Sequence, residues 1–413
     1  MAPITPLSDA RALRERLARV DRFLADQYIQ SGRLAGALVQ VWRRDERVLN
    51  SLQGMADRER GLPMAEDTIF RIYSMSKPIT SVALMMLFEQ GQVALDDPVA
   101  KYIPAWAHLQ VYAGGELGTF KTRPPARPMQ IIDLLRHTSG LTYGFQNATP
   151  VDAAYRKLKL GEMNHTGTLD EMVAALADVP LDFAPGEAWN YSVSTDILGY
   201  LVSKISGLPF ETFLHERIFG PLGMVDTGFH VPAQKAQRLA ACYTIGPLGR
   251  AVAPDSRFTL QDDPQTSNYL QPPRFFSGGG GLVSTAADYM RFARMLLGGG
   301  TLDGVHLLGR KTLELMTANH LPGGVDLPQL SRSMFSEAAY NGVGFGLGFA
   351  TTLDPARTLT LGSAGDFFWG GAASTFFVVD PREELVTLLM TQLIPSSAYP
   401  LRRQLRTLVY GAL

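Results

Sequence analysis

Two periods of apolar and polar residues alternate along this chain, and the switches between them set out its elements. Residues 8–30 put Leu13, Leu17, Val20 and Leu24 on one helical face, with arginines around the rest and Ser8 as cap. Residues 34–43 alternate as a strand does, Asp45-Glu46 supplies a turn and 48–52 returns, which predicts a hairpin. The stretch 69–72 reads as an extended approach to a helix that holds Pro78 in its first turn and stops at Gly91. Val82, Leu84, Met85, Met86, Leu87 and Phe88 leave that helix no polar face, so it is expected in the interior. A turn at 95–99 leads into a short helix ending near Pro104. Helical periods fill 129–136, 151–160, 168–178, 195–206 and 210–219, and another helix is predicted over 285–297. Between them, 111–128 is irregular, and 244–276, rich in Pro, Gly, Asp and Gln, reads as one long loop. Strand patterns return at 344–352, 358–363, 373–379 and 385–391, and a helix over 399–411 closes the chain.

Strands thus sit at both ends and helices crowd the middle. The expected fold is α/β: a mostly antiparallel sheet, flanked by the two terminal helices and split by an inserted helical lobe. The sheet domain would take 1–100 and 277–413, the insert 101–276, and the groove between them is the natural ligand site.

Composition narrows the partners. The chain has 413 residues, 46% of them apolar, and a net charge of −1, which speaks against nucleic acid or an anionic membrane surface. Cys242 is the only cysteine, so no intrachain disulfide can form, and it reads as a small buried apolar residue. No His-Glu-x-x-His spacing occurs, so neither metal nor cofactor is expected. The N-terminus lacks a basic region followed by an apolar run, and no uninterrupted apolar stretch has spanning length. A cytoplasmic protein acting on a small molecule is the expectation.

The candidate chemistry starts at Ser74-Met75-Ser76-Lys77. Residues three apart on a helix share a face, so the Ser74 hydroxyl and the Lys77 amine can meet, and a desolvated lysine can take a hydroxyl proton. Taken alone, the same residues also describe an N-cap serine and a surface lysine. Tyr191, on the turn just before the helix at 195, is a candidate acid for a leaving group; a core tyrosine reads the same way. Trp369-Gly370-Gly371-Ala372 would open a strand, and the N–H groups of Ala372 and Ser74 would make an oxyanion hole; a simple turn is the alternative. Tyr143, Phe145, Tyr269, Phe275, Phe276 and Phe368 are candidates to line the pocket. His137 closes a helix and reads as turn chemistry rather than as a catalytic base. The glycines at 278–281 lack the Gly-Lys-Ser/Thr of a phosphate loop.

The ordered set of Ser74 to Lys77, Leu134-Leu135-Arg136-His137-Thr138-Ser139-Gly140-Leu141, Pro185-Gly186 through Tyr191-Ser192, Gly280-Gly281-Leu282-Val283-Ser284-Thr285-Ala286 and Trp369-Gly370-Gly371 resembles the class C β-lactamase-like serine hydrolases. Within them it is most similar to the family VIII carboxylesterases, over residues 30 to 395. The resemblance implies the serine β-lactamase and penicillin-binding-protein fold. It also implies Ser74 as the acylated nucleophile, Lys77 as its base and Tyr191 as second base or acid, with the third motif at Trp369, Gly370 and Gly371. Two departures matter. Val193 stands where β-lactamases carry the Asn of Tyr-x-Asn, and Trp369 stands where they carry the Lys of Lys-Thr-Gly. Losing that cation weakens the hold on an anionic β-lactam, and an indole favours neutral, apolar groups. The expectation is a serine esterase for short-chain carboxylic esters. A β-lactamase, D-amino peptidase or acyltransferase on the same fold, or a non-catalytic penicillin-recognition protein, are the alternatives.

Overall fold

Strands from the two ends of the chain join one sheet in the computed structural model, which describes residues 10–161, 167–246, 257–332 and 340–413. Strands β1 (Gly36–Arg43) and β2 (Glu46–Asp57) form the hairpin, and β3 (Leu62–Pro63) extends it. The turn residues Arg44 and Asp45 have φ of 48° and 63°, the left-handed pair that a two-residue hairpin needs. From the other end come β4 (Val343–Phe345), β5 (Ala350–Thr352), β6 (Phe367–Gly370), β7 (Phe376–Asp380) and β8 (Leu385–Thr391). The sheet order is β4-β5-β6-β7-β8-β1-β2-β3, and its pairings are antiparallel. The two halves meet where Ala37 faces Thr391 and Arg43 faces Leu385.

Helices cover both faces, which is why β8 is buried at every position and reads as an almost unbroken apolar run. Helix α1 (Ala10–Leu24) and the last helix, Leu401–Tyr410, pack together on one side, where Arg19 Nε donates to the Leu408 carbonyl at 3.0 Å. Helix Ala286–Leu297 covers the other, with the Tyr289 ring tilted against Phe377 at 5.2 Å between centroids. Behind it runs α2 (Ser76–Glu89), buried from Ser76 to Leu87 as its missing polar face requires, and packed on the helix Ser194–Ser206.

Several expectations need correcting. Residues 111–128 contain a small hairpin, Val111–Gly114 with Lys121–Arg123; its second strand is exposed throughout, so it has no apolar alternation to detect. The described part of 244–276 is not a plain loop. Thr259–Asp262 pairs with Cys242–Thr244, which pairs in parallel with Leu393–Ile394. Arg71, fully buried, holds Asp262 at 2.6 Å, and Arg60 holds Asp263 at 2.8 Å. Residues 247–256 of that segment, and the proposed cap Ser8, lie outside the described residues. The strand expected at 344–352 is two strands, with Gly348 at φ 98° between them. No strand forms at 358–363. Pro355–Thr358 is a short helix capped by the Asp354 carboxylate, and the strand of that region is β6.

Asp133 shows how the central loop is held. Helix Ile131–Leu135 buries its carboxylate, which accepts from Arg127 at 2.6 and 2.9 Å, from the Gln130 N–H at 3.0 Å, from Arg136 at 3.1 Å and from the Thr138 hydroxyl at 3.0 Å. Burial pushes its pKa up; the Arg127 and Gln130 hydrogen bonds and the charges of Arg127 and Arg136 outweigh this and hold it below the usual value. A depressed carboxylate contributes stability above its unfolded pKa and loses it as pH falls through the native one. Asp133→Asn should therefore cost about 3 kcal/mol at neutral pH. Melting curves should show that deficit, and it should shrink as the pH is lowered through the carboxylate range; a deficit that stays constant would refute the ionic account.

Candidate active site

Ser74 lies at the mouth of α2, in a tight turn, Tyr73–Met75, that runs straight into the helix. Strand Ile69–Arg71, paired with Val283–Thr285, delivers the chain to that turn. Tyr73 takes φ 42°, a left-handed value that tyrosine rarely adopts and that persists only when packing holds it. The holding contacts are Cys242, Ala373 and Ile394, buried around the Tyr73 ring. Tyr73 and Met75 point into the protein, while Ser74 between them stays partly open.

Lys77 is only 2% exposed. Its Nζ donates to the Gly279 carbonyl at 2.7 Å, to the Tyr143 hydroxyl at 3.1 Å and to Ser74 Oγ at 3.4 Å. It also sits 4.4 Å from the centroid of the Tyr191 ring. All three acceptors are uncharged. Tyr191 is wedged between His137, at 5.0 Å between ring centroids, and Trp369, at 5.5 Å, and its hydroxyl accepts the Trp369 indole N–H at 3.4 Å. Three side chains distant in sequence thus share one cluster. Trp369 stands against the tyrosine.

The glycines at 278–281 form no cradle for a phosphate. A Cβ on Gly278 would lie 2.6 Å from the Thr195 carbonyl; on Gly279 it would lie 2.9 Å from the Asp196 carboxylate and 3.0 Å from the Tyr143 hydroxyl. Absence of side chains lets this backbone press against α2 and the tyrosines. The Asp196 carboxylate accepts the Gly279 N–H at 3.0 Å and the Ser277 hydroxyl at 2.5 Å, so it anchors the residue whose own carbonyl, one peptide further on, meets Lys77. Sequence reasoning passed over Asp196 and Gly279 as parts of the site. The run of glycines was the available signal, since it marks close backbone approach. Tyr143, expected as pocket wall, reaches Lys77 directly. Burial, with the charges of Asp196 and Tyr191, pushes its phenol well above its ordinary pKa of 10.

His137 follows the end of helix Ile131–Leu135, in the turn there. It has φ 58°, is buried, and its Nδ1 lies 3.2 Å from the Ser192 hydroxyl. Burial, then the nearby Lys77 charge, holds it well below its usual pKa, so the ring is neutral and backs Tyr191.

The Trp369 motif closes strand β6 instead of opening a strand. Residues 371–375 turn back to β7, with the Gly371 N–H on the Thr375 carbonyl at 3.0 Å and the Ser374 N–H on the Gly371 carbonyl at 3.1 Å. A Cβ on Gly371 would fall 2.4 Å from the Ile72 carbonyl, so this turn abuts the backbone two residues before Ser74. Ala372 packs against the cluster around Tyr73, and its N–H has no hydrogen-bond partner among the described residues. Successive strand residues face opposite ways. Trp369 points to Tyr191, so Phe368 points to the far face, where Arg406 lies over its ring at 5.2 Å; it is no part of the Ser74 cleft. Phe276 packs edge-on against Phe229 at 5.2 Å, and Tyr143 stacks on Phe145 at 4.7 Å.

Comparison with known proteins agrees with this fold. The family model described as Beta-lactamase matches residues 20–410. The chain is 39% identical to Protein Rv1367c of Mycobacterium tuberculosis (strain ATCC 25618 / H37Rv), over 88% of this chain and 87% of that one. It is 31% identical to Esterase EstB of Burkholderia gladioli, over 98% and 96%. The solved structure of EstCE1, a hydrolase with promiscuous acyltransferase activity, superposes with a TM-score of 0.76 at 27% identity, over 97% of this chain and 99% of that one. The chain belongs to the beta-lactamase family. Among the described residues no helix is long and apolar enough to cross a membrane.

The geometry makes Tyr143 a partner of the Ser74–Lys77 pair. Tyr143→Phe should slow covalent labelling of Ser74 by a fluorophosphonate about tenfold, the worth of one hydrogen bond to a charged amine. Intact-mass time courses measure it, and labelling at the parent rate would remove Tyr143 from the site.

Proposed function

We propose that this protein is a serine carboxylesterase for small, uncharged esters of short acyl chain. Ser74 Oγ attacks the ester carbonyl carbon while its proton passes to Lys77 Nζ, which takes it as the neutral amine. The N–H groups of Ser74 and Ala372 receive the developing oxyanion. The carbon–oxygen bond to the alcohol breaks, and the departing alkoxide takes a proton from the Tyr191 hydroxyl, which Lys77 replaces. Water then attacks the acyl-serine carbonyl, gives its proton to the same pair and releases the acid. Trp369, Gly370, Gly371 and Tyr143 form the substrate walls. The sheet-bearing part, 1–100 with 277–413, and the helical part, 101–276, are the two lobes of this reading.

One observation carries it: Lys77 Nζ lies within 3.4 Å of Ser74 Oγ and 4.4 Å from the Tyr191 ring centroid, with an indole where a β-lactamase would present a cation. A neutral wall forgoes the charge-assisted bond that holds a β-lactam carboxylate, which is worth roughly 1.5–3 kcal/mol. The likeness to Esterase EstB supports the ester reading. The promiscuous acyltransferase activity of EstCE1 favours one second reading, in which an alcohol replaces water as acyl acceptor.

Ser74→Ala should lower hydrolysis of p-nitrophenyl butyrate by about 10³-fold or more. Retained turnover would discard Ser74 as nucleophile. The unaltered protein should prefer this ester to a chromogenic cephalosporin by kcat/KM; the opposite order would make it a β-lactamase.

A further inference from the structure

Behind β6, on the face turned away from Ser74, the fold leaves an open-mouthed cavity of about 160 Å³. Phe368, Phe376 and Val343 give it an apolar wall. At its rim Leu359 is 76% exposed, an unusual place for a leucine, and Leu361 next to it is 47% exposed. Four arginines line the remaining side. Two are neutralised: Arg357 pairs with Asp326 and Arg406 with Asp366, each at 2.5 Å. Arg403 donates to the Leu359 carbonyl at 2.9 Å. Arg402 differs. Its Nη2 donates to two uncharged carbonyls, Gly371 at 2.6 Å and Thr375 at 2.9 Å, while its Nε is buried without a partner. No carboxylate meets this guanidinium among the described residues.

A buried N–H left unmatched on a charged group is costly, and an anion is the group that relieves it. An apolar cavity with an uncompensated guanidinium at its wall suits a ligand with an apolar body and a single carboxylate. A cavity of about 150 Å³ holds a benzene ring, which sets the size. We propose that this cavity is a second ligand site, for a small apolar monocarboxylate whose carboxylate engages Arg402.

The site has a route to the reaction centre. Arg402 holds the carbonyls at both ends of the turn 371–375, the turn that carries Ala372. Gly370 fits this arrangement, since a Cβ there would lie 2.6 Å from the guanidinium carbon. A carboxylate bound to Arg402 therefore changes the pull on that turn, and turnover at Ser74 changes with occupancy. This coupling rests on the proposed role of Ala372; the binding itself does not. The acid that an esterase releases belongs to the same chemical class, so the site would sense product.

Titration calorimetry of the full chain with sodium benzoate tests the binding, in the unaltered protein and in Ser74→Ala. Saturable binding of one benzoate is expected in both, with benzyl alcohol weaker by about tenfold for want of the charge. Arg402→Gln should weaken benzoate about tenfold. Thr360→Trp, which plugs the cavity mouth and leaves Arg402 and the turn in place, should do the same, so the test survives if Arg402→Gln misfolds. No saturable binding, benzyl alcohol binding as tightly as benzoate, or benzoate binding untouched by Thr360→Trp would each overturn the site. Benzoate should also alter kcat for p-nitrophenyl butyrate in the unaltered protein and not in Thr360→Trp. Benzoate that binds in the cavity with kcat unmoved would overturn the coupling. Binding in Ser74→Ala is read without catalysis, so failure of the esterase reading and failure of this site are distinguishable.

Discussion

The structure depends on where it puts one buried amine. Lys77, at the entrance of a helix with no polar face, has three donors in its charged form and three acceptors around it: a carbonyl, a phenol and a serine hydroxyl. Taking an ammonium out of water costs several kcal/mol even after relaxation. Hydrogen bonds to the charge return roughly 1.5–3 kcal/mol each, and the face of Tyr191 adds about 2 kcal/mol when water is excluded. These are comparable sums, so the amine is tolerated without an acid. A carboxylate in direct contact would settle the charge more firmly and leave the amine less able to serve the hydroxyl beside it.

Much of the surrounding architecture follows from supplying those acceptors. A carbonyl can reach Nζ only if its peptide lies against α2, and the glycines at 278–279 permit that approach. The peptide just before it is held from both sides, by Asp196 through the Gly279 N–H and by the Thr80 hydroxyl through the Gly278 carbonyl at 2.8 Å. The two tyrosines come from the loops on either side of the helices Pro150–Lys157 and Leu169–Leu176, and the neutral His137 backs one of them. From the C-terminal half, Trp369 closes the ring of contacts with its indole N–H. The cleft is therefore assembled from segments that share no local sequence. The sheet brings them together by pairing β1 with β8, which draws the last sixty or so residues of the chain alongside the first sixty.

The indole at the end of β6 does more than fill space. It spends its one donor on Tyr191 and packs edge-on against Phe345 at 5.3 Å. It gives the tyrosine a fixed, uncharged neighbour. Val193, two residues on from Tyr191, is fully buried, and a Cβ on Gly161 would lie 2.4 Å from its Cγ1, so that position is filled by packing.

Local pattern determined most elements of this chain. Helices with a full apolar stripe, the first hairpin and the buried strands were legible because burial imposes a period on the residues that undergo it. The Ser74–Lys77 pair was legible for the same reason, since three residues of helix fix their proximity. The strands within 111–128 and 242–262 were not, because they are held by main-chain pairing and by Arg60 and Arg71, and their side chains carry no period. Nor could sequence disclose which face of β6 each aromatic takes, that Tyr143 meets the amine, or that Asp196 serves the glycines. Those facts depend on segments tens to hundreds of residues apart coming within 3 Å, and nothing local encodes a distance of that kind. The chain alone decided which pieces exist; only their packing decided which of them touch.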